Sequence, residues 1–280
     1  MSNGFRLAAC QMKVAGNREE NTAKALLMLE RAAQGKADVA ALPEMFNCPY
    51  GSGRFREYAQ KASESFSLKA VSEKAAELGI YVFAGSIPEE EEGSVYNTCF
   101  AFGRDGGLIG RHRKLHLYDV HIEGGISFKE SDTLAPGDDI TVIETEFCRV
   151  GVGICYDLRF PELSRLMTLE GAEVLIFPGV FNTVTGAAHW ELLVRTRAVD
   201  NQVCVAAISA ARDDGSSYKA YGNSMVAGPW GNVISRAGDD EEIIFADVDL
   251  EEIARVRREL PLLKHRREDI YTLEKGNGND

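Results

Sequence analysis

The chain has 280 residues, 45% of them hydrophobic, which is enough for one large domain with a sizeable core. Its 43 acidic residues outnumber 31 basic ones, and no basic stripe offsets the formal charge of −12, so nucleic acid is not an expected partner. No apolar run approaches the ~20 residues that cross a bilayer, so no membrane partner is expected either.

The opening MSNGFRLAACQMKV lacks a basic stretch followed by a long apolar one, so no secretory signal is expected. FRLAAC itself reads as a strand, followed by a helical run. Ala37 to Phe46 is a short buried strand ended by Pro43. Ser67 to Leu78 reads as a helix with Leu68, Val71, Ala75 and Leu78 on its apolar face. The strand IYVFAGS comes next. The charge run Glu89 to Glu92, followed by Gly93, reads as a solvated hairpin tip. YNTCFAFGRDGGLIGR then gives two strands flanking a Gly-rich turn.

After RHRKLHLYD, the segment Arg149 to Ile154 reads as a buried strand, and Leu158 to Glu170 as a helix stopped by Gly171. Cys155 stands at their junction. A thiol at a helix N-terminus feels the positive end of the peptide dipoles, which favours the thiolate. Its plain alternative is a small packing residue. Ala172 to Phe181 is a second short strand, broken at Pro178. Ala188 to Asn201 reads as a helix to whose apolar face Leu192, Leu193 and Val199 contribute. VCVAAIS and YGNSMVAGPWGNVISR follow as a strand and a hairpin. The charged tail after Leu260-Pro261 is expected to pack on the surface or on a partner.

The two halves are alike. FRLAAC matches CRVGVG, and Ala37–Phe46 matches Ala172–Phe181. IYVFAGS matches VCVAAIS, and the two Gly-rich hairpins correspond. Each half therefore reads strand, helix, strand, helix, strand, hairpin. Such alternation implies an α/β layered fold, and duplication implies two stacked sheets with helices outside.

The repeat also serves as an internal control. Glu44 is replaced by Gly179 in the second copy. Lys114 lies just past the point where the second copy turns to Gly238-Asp239. Cys155 has no counterpart. Each of the three follows the carboxyl end of a strand, the edge where α/β sheets bind ligands. A thiol needs a base and a group to hold an oxyanion, and a glutamate and a lysine supply both.

Other motifs are weaker. His112 and His116 are spaced as zinc ligands on a helix can be, but lack H-E-x-x-H and a third ligand, so no metal is expected. Gly151-x-Gly153 lacks the third glycine of a dinucleotide fingerprint. Gly103 to Gly110 lacks the Lys of a phosphate loop. A Cys–His protease would need one of five histidines as base, and none has a matching context. A redox sensor at Cys155 would need a resolving cysteine, and none is near in sequence.

LPEMFNCPYG, RHRKLHLYD and GVGICYDLRFPEL resemble the three signature blocks of the nitrilase superfamily, carbon–nitrogen hydrolases with a Glu-Lys-Cys triad. The resemblance runs from FRLAACQ to DVDLEEI. FNCPYG, GSIPEE, YNTC, HLYDVHIEGGISFKES and FNTVTGAAHWELLVRTRAVDNQV are closest to the ω-amidase branch. It implies one domain over 1–280: a four-layer αββα sandwich with internal pseudo-duplication, dimerising to αββα-αββα. It implies Glu44 as base, Cys155 as nucleophile, and Lys114 with the Tyr156 backbone N–H as oxyanion holders. Glu130 matches the family's second glutamate and would support Lys114 or Glu44.

The implied activity is hydrolysis of the terminal amide of small dicarboxylate monoamides, α-ketoglutaramate and α-ketosuccinamate, with no cofactor. Alternatives are a deaminated-glutathione amidase, an N-carbamoyl amidohydrolase, or a catalytically idle interaction protein on the same scaffold. A distal carboxylate wants a guanidinium, and Arg159, one turn past Cys155, supplies it. Tyr50, Phe181 and Thr185 resemble the branch's pocket residues. With six cysteines and no C-x-x-C pair, a reducing compartment is expected, cytoplasmic or the mitochondrial matrix.

Overall fold

A computed structural model describes residues 4–123 and 126–276. Its centre is two six-stranded sheets. The first is built from β1 (Gly4–Gln11), β2 (Val39–Ala41), β3 (Tyr81–Glu91), β4 (Ser94–Phe102) and β5 (Leu108–Arg113). Between them come the helices α1 (Arg18–Gln34), α2 (Ser52–Tyr58) and α3 (Phe66–Leu78). A small hairpin, β6 (Asp119–His121) and β7 (Ser127–Lys129), follows, and then β8 (Thr141–Glu144).

The second half runs β9 (Arg149–Val152), α4 (Pro161–Leu169), β10 (Val174–Gly179), α5 (Thr183–Asn201), β11 (Cys204–Ser209), β12 (Met225–Ala227) and β13 (Val233–Arg236). The chain closes with β14 (Glu242–Asp249) and α6 (Leu250–Glu259). The sheet orders are β14-β1-β2-β3-β4-β5 and β8-β9-β10-β11-β12-β13. The duplication is therefore real down to the edge strand. In each sheet an antiparallel strand flanks three parallel ones and an antiparallel hairpin.

Side-chain alternation makes the layers. Leu7, Ala9, Val39, Ala41 and Phe83 face the second sheet's Val150, Val152 and Ile176 in one core. Their neighbours Ala8, Cys10, Ala40, Leu42 and Val82 face Leu29 of α1 and Leu68, Val71 and Ala75 of α3. Both faces of the strands are thus apolar, the pattern of a sheet covered on both sides. Trp190, Val194 and Ala198 of α5 and Leu163 and Met167 of α4 close the far side. The result is an αββα sandwich.

Caps fix the helix ends. Asn17, Ser65, Asn182 and Asp249 each accept a backbone N–H at the start of α1, α3, α5 and α6. The Asn182 cap starts α5 at Thr183, ahead of the expected Ala188. It also rotates the buried face. Trp190, Val194 and Ala198 are inside, whereas Leu192 and Val199 are 64% and 40% exposed. The expected apolar face of α5 is thus corrected.

The charge run at the β3–β4 turn is also corrected. Glu92 and Gly93 make the turn, with φ of 52° and 82°. Glu89, however, is 1% exposed, bonded to Thr98 and paired with Arg111 and Arg113. It braces the strand that leads into Lys114. The edge strands β8 and β14 lie outside the matched repeat blocks. β14 crosses from the chain's end back to β1, and α6 then packs Leu250 and Ile253 into the core. Among the described residues no helix is long and apolar enough to cross a membrane.

Candidate active site

Three loops converge at the carboxyl ends of β2, β5 and β9. After β9, Gly153 lets the chain pass Phe177, because a Cβ there would lie 2.4 Å from the Phe177 ring. Cys155 follows with φ of 50°, a left-handed conformation uncommon for a side-chain-bearing residue. It opens a five-residue 3-10 turn, Cys155 to Arg159, and α4 begins only at Pro161. The thiol therefore does not sit on an α-helix N-terminus as the sequence suggests. Nor is it a ready thiolate. Burial and the Glu44 charge push its pKa well above the usual thiol value, against the pull of Lys114. The expectation of a dipole-stabilised thiolate is corrected to a neutral thiol beside a base.

The carboxylate expected as base lies beside it. Glu44 is fully buried, three residues beyond β2. The Cys155 thiol lies beside its carboxylate. Asn97 Nδ2 and Lys114 Nζ donate to Oε1 at 2.8 and 3.0 Å, and the Val180 N–H donates to Oε2 at 2.9 Å. Lys114, also fully buried, donates at 2.8 Å to Glu130 Oε1. Glu130 in turn accepts from Tyr50 Oη at 2.8 Å and from the Tyr118 N–H at 2.6 Å. The β6–β7 hairpin folds Glu130 back onto Lys114. Gly124 and Gly125 lie outside the described residues.

One cation thus faces two carboxylates. Burial and the neighbouring Glu130 charge raise the Glu44 pKa, and the Lys114 charge only partly offsets this. Burial alone would lower Lys114, but the two carboxylates hold it well above its usual value, so it stays an ammonium. The position matching Glu44 in the second half is Gly179. A Cβ there would lie 3.3 Å from the Cys155 Cα. The repeat is broken at that point because the cysteine turn needs the space.

The remaining expected residues divide into two groups. Arg159, Phe181 and Thr185 share a cleft of about 190 Å³ with Cys155, Tyr156, Tyr118, Val180 and Tyr218. The Arg159 guanidinium lies 4.7 Å over the Phe181 ring. Phe181 in turn meets Trp190 edge-on at 4.9 Å. Tyr50 stands beside them, its ring 4.6 Å from that of Tyr218. It lines a neighbouring cleft of about 400 Å³ with Glu44, and its hydroxyl is spent on Glu130. Val180 and Tyr218 border both clefts.

Four residues carry no role in the sequence reading. Asn97 orients Glu44, although its block YNTC was visible. Tyr118 lies in the legible HLYD block, and its hydroxyl accepts from Asn182 Nδ2 at 3.1 Å. His189 accepts from Arg159 Nη1 at 3.2 Å. Tyr218, with its hydroxyl on the Val180 carbonyl, sits in a loop that gives no signal. His112 and His116 do come together, but on Asp157, and among the described residues no cluster suited to a metal exists.

A carbon-nitrogen hydrolase family model matches residues 6–258. The chain belongs to the carbon-nitrogen hydrolase family. It is 50% identical over 270 residues to the omega-amidase NIT2 of Xenopus tropicalis, covering 96% of this chain and 98% of that one. The human omega-amidase NIT2 is 47% identical over the same shares of both chains. Among solved structures, Saccharomyces cerevisiae Nit3, a member of branch 10 of the nitrilase superfamily, superposes with a TM-score of 0.87. Its identity is 41%, over 94% of this chain and 96% of that chain. Membership of the nitrilase superfamily and the αββα sandwich agree with the reading of the signature blocks.

Proposed function

We propose that the protein is an ω-amidase, hydrolysing the terminal amide of a small dicarboxylate monoamide such as α-ketoglutaramate. The observation that carries the chemistry is a buried thiol beside a carboxylate whose pKa is raised and a buried ammonium. Glu44 takes the Cys155 proton as the sulfur attacks the amide carbon. The oxyanion is held by Lys114, two of whose three donors are engaged by Glu44 and Glu130, and by the Tyr156 N–H. Glu44 passes its proton to the nitrogen, ammonia leaves, and a Cys155 thioester remains. Glu44 then takes a proton from water, whose hydroxide attacks the thioester. The acid departs and the thiol is restored. Every donor around Glu44 points inward, which suits a carboxylate and not an amide.

The small cleft and Arg159 support the choice of substrate. A guanidinium stacked on Phe181 offers a fork to a distal carboxylate. Incubation with α-ketoglutaramate should release ammonia, and no release above a Cys155→Ala control would end this reading. Arg159→Gln should raise KM for the anionic amide roughly ten- to hundred-fold, the value of one charge-assisted hydrogen bond. It should leave turnover of a neutral amide such as propionamide within about two-fold. Equal losses on both substrates would remove Arg159 from recognition.

The base sets the pH profile. Glu44 works only when ionised, so kcat/KM should rise with pH through its raised pKa, above the ordinary carboxylate range near ~4.3. Glu130→Gln removes a like charge, so the acid limb should move to lower pH. An unmoved limb would assign it to another group.

A homodimer in a reducing compartment is part of the same proposal. Leu192, Val199 and Trp230 line one exposed groove beside Arg195 and Asp200, an apolar patch that a second copy would cover. All six cysteines are free. Light scattering should give twice the 30.7 kDa chain mass, and Leu192→Glu should lower it. A monomeric wild type would exclude the dimer.

A further inference from the structure

Two histidines that flank Lys114 grip a single carboxylate that follows Cys155. Asp157 is fully buried and accepts four hydrogen bonds. Its Oδ1 takes the His116 N–H at 2.9 Å and lies 2.8 Å from His116 Nδ1. Its Oδ2 takes the Ile154 N–H at 2.9 Å and lies 3.3 Å from His112 Nε2. His112 is itself buried, with Nδ1 3.0 Å from Thr141 Oγ1 on β8. The His116 ring stacks on Phe160 at 3.6 Å and 8°, and Phe160 meets Tyr156 edge-on at 5.4 Å. None of the three lines the cleft that holds Cys155.

We propose that Asp157, held by His112 and His116, is a positioning group that sets the Cys155 turn against Lys114. The proposal rests on the reading of Cys155 as nucleophile. Its first support is the backbone. Cys155 is held at φ of 50°. A left-handed residue of this kind is strained and persists only where its surroundings over-determine it. The Ile154 N–H and the Asp157 carboxylate bracket Cys155 on both sides in sequence, so their bond closes a ring around it.

The second support is connectivity. The other oxygen of the same carboxylate takes the backbone of His116, two residues past Lys114. His112, two residues before Lys114, meets Asp157 from the end of β5. The two chemical segments are thus tied to one rigid, fully buried anion. Displacing a reacting group by about 1 Å costs rate far more than binding.

The full-length protein with Asp157→Asn, His116→Asn and His116→Phe tests this. The readouts are kcat and KM with α-ketoglutaramate, the rate of iodoacetamide alkylation at Cys155 by peptide mass, and thermal midpoint. Asp157→Asn should lose about 100-fold in kcat with KM within about two-fold, and its Cys155 alkylation should change rate. His116→Asn places an amide N–H where the imidazole Nδ1–H stood, so it should keep most of both rates. His116→Phe keeps the stack on Phe160 without the donor and should behave like Asp157→Asn. Wild-type kcat and alkylation in folded Asp157→Asn would overturn the proposal. So would His116→Asn that matches His116→Phe. If Asp157→Asn does not fold, the His116 pair decides alone. If the wild type does not turn over the keto amide, the functional reading fails, while the alkylation rates still judge the clamp.

Discussion

Cys155→Ala should abolish ammonia release, with kcat falling by about ten-thousand-fold or more, while the fold is kept. The size of the loss follows from the pathway. Without the sulfur no thioester forms, and water must attack the amide directly. The buried geometry explains why the fold survives. Cys155 lies against Gly179 and beside Glu44, and Lys114, Asn97 and Val180 satisfy that carboxylate without it. The lost sulfur leaves a small cavity worth about 1 kcal/mol, and a thermal midpoint within a few degrees of wild type is expected. Mass spectrometry of wild type quenched during turnover should show an acyl adduct on Cys155 and on none of the other five cysteines. Their burial raises them too, Cys10, Cys148 and Cys204 to about 12, but none faces the Glu44–Lys114 pair as Cys155 does. Residual turnover within ten-fold in Cys155→Ala would assign the nucleophile elsewhere.

The parts of this site that sequence reveals are those where the duplication fails. Glu44, Lys114 and Cys155 stand out because the matching positions in the other half cannot do the same chemistry. The structure adds the reason, since Gly179 leaves room that any side chain would take from the cysteine turn. Periodicity likewise reveals the layers, because both faces of the central strands are apolar. It does not reveal β14, since nothing local says that a strand at the end of the chain pairs with the one at its beginning. It misplaces the face of α5, because Leu192 and Val199 are apolar yet exposed, and only tertiary packing decides that Trp190 and Val194 are inside. The state of the thiol was misread for a related reason. A dipole argument needs a helix that begins at the cysteine, and Pro161 starts α4 one turn later. Asn97, Tyr118 and Asp157 lie in blocks the eye picks out, but their partners are dozens of residues away, and contact at that range leaves no mark in a single sequence.

Lys114→Met should cost both activity and stability, and the two can be separated. The ammonium lies between two carboxylates, all fully buried. Removing it leaves two like charges in a water-poor site, which costs about 3–5 kcal/mol. Activity should fall by about a thousand-fold or more, since the oxyanion loses its cation and Glu44 its orienting partner. The pH dependence of the stability loss has a definite sign. Without Lys114, burial and the Glu130 charge hold the folded Glu44 pKa above its unfolded value, with nothing to offset them. The stabilising neutral form of Glu44 is then present below the unfolded pKa near ~4.3, and its contribution is lost as pH rises through the raised folded value. The denaturation midpoint of Lys114→Met should therefore approach that of wild type near pH 4 and fall behind it at pH 7. Adding Glu130→Gln removes one of the two stranded charges, so the double variant should be more stable than Lys114→Met alone at pH 7 and still inactive. Additive losses in that cycle would show that Glu130 and Lys114 do not interact. Recovery of stability without recovery of turnover would separate the two duties of the ammonium, neutralising buried carboxylates at rest and holding the oxyanion during reaction.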